Sequence, residues 1–156
     1  MSSQCLLTKY NDPGNPMVIA YINDQPITNT LINLGATINV MIKDLFTTLG
    51  LHGLRHTPIV LELADGSCVK PEGVLEDIII KIASYIYLAN FLILQTKSNL
   101  GGHPLILGRP WLATTDAFIG CRSGSMMILD GQATKNLNLY PPKPNVDIYN
   151  PWWDEF

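Results

Sequence analysis

Leu31-Ile32-Asn33-Leu34-Gly35-Ala36-Thr37 is the stretch on which the fold of this chain turns. It closes a run from Ile27 to Ile32 in which β-branched and apolar residues mix with Thr and Asn, a pattern that suits a strand. Gly35 then stands at the centre of a compact loop, and Ile38 to Met41 is strand-like again. Upstream, Met17 to Ile22 (MVIAYI) reads as a strand, and the turn at Asn23, Asp24 and Gln25 joins it to the Ile27–Ile32 run as a hairpin. Downstream, Lys43 to Leu51 carries apolar residues at Leu45, Phe46 and Leu49 and a stop at Gly50, which predicts a helix of about two turns.

The same alternation of short strands and turns continues. Pro58 to Leu63 and Cys68 to Val74 flank Ala64-Asp65-Gly66-Ser67, and an Asp-Gly pair between such runs is a hairpin signal. Asp77 to Ile82 and Tyr85 to Leu94 (YIYLANFLIL) are apolar enough to predict strands covered on both faces. A Gly-rich loop from Asn99 to Pro104 leads to Leu105-Ile106-Leu107-Gly108. Arg109 to Ala113, with Pro110 at its first turn, predicts a second short helix. Ala117 to Cys121 and Ser125 to Leu129 read as a last hairpin through Arg122-Ser123-Gly124. A strand, a Gly turn and a short helix thus occur twice, at 29–49 and at 104–113. Residues 1–16 read as a leader and 131–156, rich in Pro and Asn, as an extended tail or linker. By pattern alone the body is an all-β barrel or sandwich of eight to ten strands with two small helices.

Composition bounds the function. The chain has 156 residues, the size of one domain, and a net charge of −3. Charged residues make up 15% and hydrophobic ones 47%, which excludes intrinsic disorder for most of the length. Mild acidity argues against nucleic acid as the main partner, since phosphate binding needs a basic patch. No apolar run approaches the roughly 20 residues of a membrane-spanning helix, and the first residues lack the order of a signal peptide. Cys5, Cys68 and Cys121 form neither a disulfide framework nor a metal cluster. They predict buried or half-buried free thiols in a reducing, intracellular (cytoplasmic) compartment. His52, His56 and His103 lack metal-ligand spacing and read as solvated loop residues. No phosphate-cradling loop and no nucleophile elbow is present. No metal or cofactor is expected. Trp111 and Met126-Met127 read as packing residues; Trp152-Trp153 remains open.

Three blocks then stand out in order: residues 31–37, Leu63-Ala64-Asp65-Gly66-Ser67, and Leu105-Ile106-Leu107-Gly108 followed by Arg109-Pro110-Trp111-Leu112. Together they resemble the retropepsin-like aspartic proteases, most closely those in the polyproteins of plant long-terminal-repeat retrotransposons. That family's catalytic loop reads two hydrophobic residues, then Asp-x-Gly-Ala. Its flap often carries Ala-Asp-Gly-Ser, and its last block is Ile-Leu-Gly before a short helix. The resemblance covers about residues 17–129, within a protease-like domain read as 17–130. It implies a closed six-stranded acid-protease barrel with two short helices, acting as a homodimer on a peptide or polyprotein.

The chemistry implied by the resemblance needs two carboxylates about 3 Å apart sharing one proton, the ionised one activating water and the protonated one polarising the scissile carbonyl. One chain supplies one such loop, so a two-fold dimer assembles the site. Asn33 occupies the Asp position, and an amide is no general base. The chain as written is therefore expected to be inactive, or else a non-catalytic peptide-binding or dimerisation module on the same fold. Leu34, Gly35 and Ala36 would shape the loop. Ala64, Asp65, Gly66 and Ser67 would form the flap, and Ile106, Leu107 and Gly108 the floor. Leu34 replaces a usual Thr or Ser, removing a hydroxyl lock between the two loops. Thr37 replaces an Asp that pairs with the Arg of the last helix, which leaves the partner of Arg109 open. In the tail, Tyr140-Pro141 is either a junction that an active form would cut or part of a stiff spacer, Pro141-Pro142-Lys143-Pro144.

Overall fold

The computed structural model describes residues 6, 15–63, 66–95, 101–121, 123–130 and 133–139. Within them the order is β1 (Met17–Ile22), β2 (Gln25–Ile32), β3 (Val40–Ile42), α1 (Lys43–Thr48), β4 (Leu61–Glu62), β5 (Cys68–Val69), β6 (Gly73–Ile82), β7 (Tyr85–Leu94), β8 (Leu105–Leu107), α2 (Arg109–Thr115), β9 (Phe118–Gly120), β10 (Ser125–Asp130) and β11 (Ala133–Asn138). Six strands close into a barrel in the order β1-β2-β8-β3-β7-β6, so the expected all-β fold with two short helices is a closed six-stranded barrel. A three-stranded sheet β11-β10-β9 and a two-stranded ribbon β4-β5 complete it.

The β1–β2 turn has both central residues, Asn23 and Asp24, at positive φ (50° and 61°), the conformation whose twist matches a two-residue hairpin. The Asn23 side-chain amide donates to Leu49 O at 2.9 Å and ties this turn to the end of α1. Period-two alternation buries Val18, Ala20 and Ile22 and exposes Ile19 and Tyr21. The same rule runs along β6 and the first half of β7, with a bulge between Leu75 and Ile78 where Asp77 takes φ 57°.

The decisive topology is at β8. It pairs in parallel with β2 (Leu31 opposite Ile106, Ile32 opposite Leu107) and antiparallel with β3 (Val40 opposite Ile106). The chain that leaves β2 must therefore loop around the end of β8 before it returns as β3. The main core gathers Ile22, Met41, Leu75, Phe91, Leu105 and Trp111, all almost fully buried. A smaller cluster of Val40, Ile42, Leu94 and Ile106 packs on the other face, with Leu31, Ile38 and Leu61 against it.

Several expectations need correction. The segment from 131 does not begin as a tail, because Ala133–Asn138 pair along the whole of β10. Leu139 is fully buried, donates its N–H to Gly124 O at 2.8 Å and accepts from Met17 N at 2.7 Å. The reason is visible in Leu137 and Leu139, two apolar residues two apart that face one side of a strand. The body thus extends at least to 139. The Tyr140-Pro141 junction and Trp152-Trp153 lie outside the described residues. His103 is buried, with Nδ1 3.2 Å from Asn29 O, so it fills a polar slot in the fold. Cys68 and Cys121 are exposed free thiols, whereas Cys5 lies outside the described residues. Strands β4 and β5 are two residues each, β6 begins at Gly73, and α1 ends at Thr48. The outer ends of β6 and β7 are uncovered at Ile79, Ile86 and Leu88, whereas Phe91 to Leu94 are buried throughout.

Because Leu139 joins the core and closes β11 against β1, Leu139→Ala is expected to lower unfolding free energy by about 2–4 kcal/mol, as for other buried Leu truncations. Urea titration followed by tryptophan fluorescence measures this. A loss under about 0.5 kcal/mol, the level of an ordinary surface substitution, would show that the segment is a tail after all.

Candidate active site

The loop after β2 is built by its own backbone groups and by β8. Asn33 N–H donates to Leu107 O at 3.0 Å, continuing the β2–β8 ladder one residue past the strand. The chain then turns. Asn33 Oδ1 accepts from Gly35 N at 2.9 Å and Asn33 O accepts from Ala36 N at 3.2 Å. This is a turn that Asn forms readily, its side chain standing in for a backbone acceptor. A Cβ at Gly35 would lie 3.2 Å from Asn33 Oδ1, so a side chain there would press on the group that shapes the turn. Ala36 O accepts from Arg109 N at 2.9 Å, which fastens the loop to the start of α2. The side chain of Arg109 is exposed.

A residue that sequence reasoning missed holds this arrangement together. Asn39 is 3% exposed. Its Oδ1 accepts from Gly108 N at 2.9 Å, its Nδ2 donates to Asn90 O at 3.1 Å, and its backbone O accepts from Leu92 N at 3.0 Å. One side chain thus links the loop, β7 and the entrance to α2. Gly108 has to be Gly for a steric reason. A Cβ there would lie 2.5 Å from Ile38 O and 2.7 Å from Ala36 O.

Above the loop is a cleft of about 630 Å³. Its floor and walls include Leu31, Asn33, Ala36, Ile38, Val40 and Ile106, and Gly35 and Thr37 reach its rim. The β4 segment, Leu61, Glu62 and Leu63, covers the other side. Asn33 and Thr37 are its polar residues at the loop; on the ribbon Leu61 and its partner Val69 pack against the cleft cluster while Glu62 and Cys68 are exposed. On the opposite side of the loop a hollow of about 330 Å³ is lined by Asn33, Leu34 and Gly35 with Pro16, Ile119 and Cys121. Leu34 is 61% exposed there.

Of the residues singled out from sequence, Asn33, Gly35, Ala36 and Ile106 meet in the cleft. Leu34 faces the second hollow instead. Leu107 and Gly108 are not floor residues. Strand alternation turns the Leu107 side chain into the main core while Ile106 faces the cleft, and Gly108 contributes its N–H and its lack of a side chain. Gly66, at φ 85°, and Ser67 form the ribbon turn through Gly66 N to Leu63 O (2.9 Å) and Leu63 N to Ser67 O (2.8 Å). Ala64 and Asp65 lie outside the described residues. Leu63, part of the second sequence block, lines the cleft; Leu61 and Glu62 beside it were not singled out, although they precede the Asp-Gly turn and so had to flank it. Among the described residues no group of three or more His, Cys, Asp or Glu is placed to hold a metal. The amide of Asn33 can donate and accept hydrogen bonds, but it offers no proton-transfer group at the loop.

This barrel, with a loop threaded around β8 and a β-ribbon over a cleft, is the fold of the retroviral protease-like domains. The crystal structure of the retroviral protease-like domain of Ddi1 from Leishmania major superposes with a TM-score of 0.60 at 17% identity, covering 81% of this chain and 98% of that one. No protein-family model matches the chain, and neither does any curated protein sequence.

Asn39→Leu leaves Gly108 N–H and Asn90 O without their partner. It is expected to cost about 1–3 kcal/mol of stability, the penalty of leaving the buried Gly108 N–H unpaired together with the part-buried Asn90 O. Chemical denaturation of this variant beside an exposed-site control, Thr37→Ala, checks it. Equal stabilities would show that the Asn39 bridge contributes nothing.

Proposed function

We propose that this chain is one half of a homodimeric aspartic endopeptidase of the retropepsin type, from a retroelement polyprotein such as those of plant long-terminal-repeat retrotransposons. In its present form Asn33 leaves it able to bind extended peptides but not to hydrolyse them. The observation that carries the reading is the placement of Asn33. It sits at the floor of a peptide-sized apolar cleft, in a loop held by Leu107 O, Gly35 N and the Arg109 N–H to Ala36 O bond. The order of the three sequence blocks supports the same reading. One chain carries one such loop, so a second copy would supply the other across a two-fold axis. Exposed Leu34 and the hollow beside it suit a surface that meets a partner loop. The exposed thiols of Cys68 and Cys121 suit a reducing compartment.

In an Asp form, two carboxylates on the axis would share a proton. One would take a proton from the attacking water as the other donates to the carbonyl oxygen of the scissile peptide. The β4–β5 ribbon would lie over the extended substrate and exclude water, strengthening each polar contact beneath it. With Asn33 in both halves, the facing amides can hydrogen-bond a peptide carbonyl or N–H but cannot activate water. A non-catalytic peptide-binding module is therefore the second reading, and the Asn33 amide is the observation that favours it.

Restoring the carboxylate separates the two. Asn33→Asp is expected to cleave an unfolded protein substrate between about pH 4 and 7, at least about 10²–10⁴-fold faster than the Asn33 chain, the range of general acid–base catalysis. A statine-type transition-state mimic should block it. Sedimentation should find a dimer for both forms. A folded Asn33→Asp dimer that cleaves nothing overturns the endopeptidase reading and leaves the binding module. A monomer under all conditions overturns the shared site.

A further inference from the structure

The outer face of β6 and β7 is apolar where no described residue covers it. Period-two alternation turns Ile79, Ile86 and Leu88 outward, and they are 60%, 66% and 61% exposed. Ile79 stands opposite Leu88, and Lys81 stands between Ile86 on β7 and Tyr21 on β1. Tyr21 and Ile59, both exposed, widen the apolar area. Ile59 and Leu88 meet Asp77 and Asn90 at a hollow of about 370 Å³. Of these residues none lines the cleft or the hollow beside Leu34. A contiguous group of large apolar side chains left uncovered marks a contact surface.

The charges on this face match a second copy of the same face. On β6, Lys81 lies two residues after Ile79 and Asp77 two residues before it. Both are exposed. Among the described residues neither forms an ion pair, whereas Glu76 lies 3.3 Å from Arg55 Nη1 and Glu72 lies 3.6 Å from Lys43 Nζ. The bulge at Asp77 seats it beside Asn90, whose Oδ1 accepts from Asp77 N at 2.9 Å. A two-fold axis that crosses the strands over Ile79 reverses β6 on itself. It sets Ile79 on Ile79 and Leu88 on Leu88, and it lays Lys81 of each copy over Asp77 of the other. Self-complementarity of this kind is what an isologous contact requires.

We propose that the outer face of β6 and β7 is a self-association surface, on which a second copy of this chain packs the same face about that axis. Two sheets packed this way stand about 10 Å apart, a gap that Ile79 and Leu88 of both copies fill. Two Lys81–Asp77 pairs at the rim fix the direction, since the reversed alignment would set like charges together. This contact lies away from the Asn33 loop, so it goes beyond the shared-site dimer and does not depend on it. A chain that uses both contacts joins dimers into larger assemblies. The apolar centre is only a few side chains across, which puts the contact at the small, weak end of interfaces.

The test is sedimentation equilibrium of the unaltered chain from about 1 μM to about 1 mM, the range in which weak contacts form. The mean mass is expected to rise with concentration past the loop dimer, toward a pair of dimers. Leu88→Lys puts two ammonium groups together at the axis and is expected to weaken this step about tenfold or more. Lys81→Glu sets like charges opposite each other at both ends of the contact. It is expected to weaken the step about fivefold at low salt, and less as salt rises. Adding Asp77→Asn to Lys81→Glu removes that repulsion, keeps a residue that tolerates positive φ, and is expected to regain part of the loss. All three positions are exposed, so urea midpoints should stay near that of the unaltered chain. Association that is absent over the whole range, or that stops at a dimer which Leu88→Lys leaves intact, overturns the inference. The face is then left to residues 140–156 of the same chain or to a different protein. A step lost in Leu88→Lys but insensitive to Lys81→Glu overturns it too, because the two-fold alignment rests on that charge. The two contacts fail separately. A chain that reaches only a dimer, and becomes a monomer in Leu88→Lys, supports this face and overturns the shared site at Asn33.

Discussion

Everything near the cleft depends on how β8 is threaded. A three-residue strand lies between β2 and β3, parallel to one and antiparallel to the other. A strand that short has few ladder bonds of its own, so its ends must be fixed by something else. Three bonds do this at its C-terminal end: Asn33 N to Leu107 O, Gly108 N to Asn39 Oδ1, and Arg109 N to Ala36 O. Together they join three consecutive residues, Leu107, Gly108 and Arg109, to Asn33, Asn39 and Ala36. The loop and the β8–α2 junction are therefore one hydrogen-bonded unit, and neither can move without breaking buried polar pairs, each costly to leave unmet. Gly108 belongs to this constraint by absence. The carbonyls of Ile38 and Ala36 come so near its Cα that no side chain fits between them.

That unit fixes where chemistry can happen. Period-two alternation in β8 sends Leu105 and Leu107 into the main core and Ile106 toward the cleft. The buried pair anchors the strand, and the one residue between them becomes floor. The same alternation in β2 turns Leu31 to the cleft side and Ile32 inward. Asn33, the first residue past β2, then emerges at the floor beside Ala36. Two hydrophobic clusters therefore lie on opposite faces of the same strands, one holding the barrel closed and the other lining the cleft.

Local signals made the barrel strands, both helices and the loop around Gly35 legible, because each is written in neighbouring residues: alternation, a Gly stop, Pro at a first turn, an Asp-Gly pair. What escaped reading is set by distant partners. Asn39 stands between Ile38 and Val40 and looks like any polar residue next to a strand, yet its partners are 51 and 69 positions away. His103, in a Gly-rich stretch, looked solvated until the Asn29 carbonyl was found against its ring. β11 was obscured by the prolines that follow it, although Leu137 and Leu139 already carried a two-residue period. Leu107 and Gly108 were placed by motif rather than by face, and alternation moved both away from the floor.

The amide at position 33 is compatible with every structural role of its loop, which explains how the fold stands without the carboxylate. The Gly35 N–H needs an oxygen acceptor on the side chain of residue 33, and an Asn provides it with the same shape as an Asp. The Leu107 and Ala36 contacts use only backbone groups of residue 33. In the proposed dimer an Asn at this position also avoids a liability. Two carboxylates forced close together cannot both ionise, so an Asp pair must hold a proton and its assembly responds to pH. Two amides carry no charge in any state and can pair donor to acceptor. The Asn33 form is thus expected to dimerise with little pH dependence from the loop itself, whereas catalysis, which rests on that shared proton, is the property the amide cannot supply.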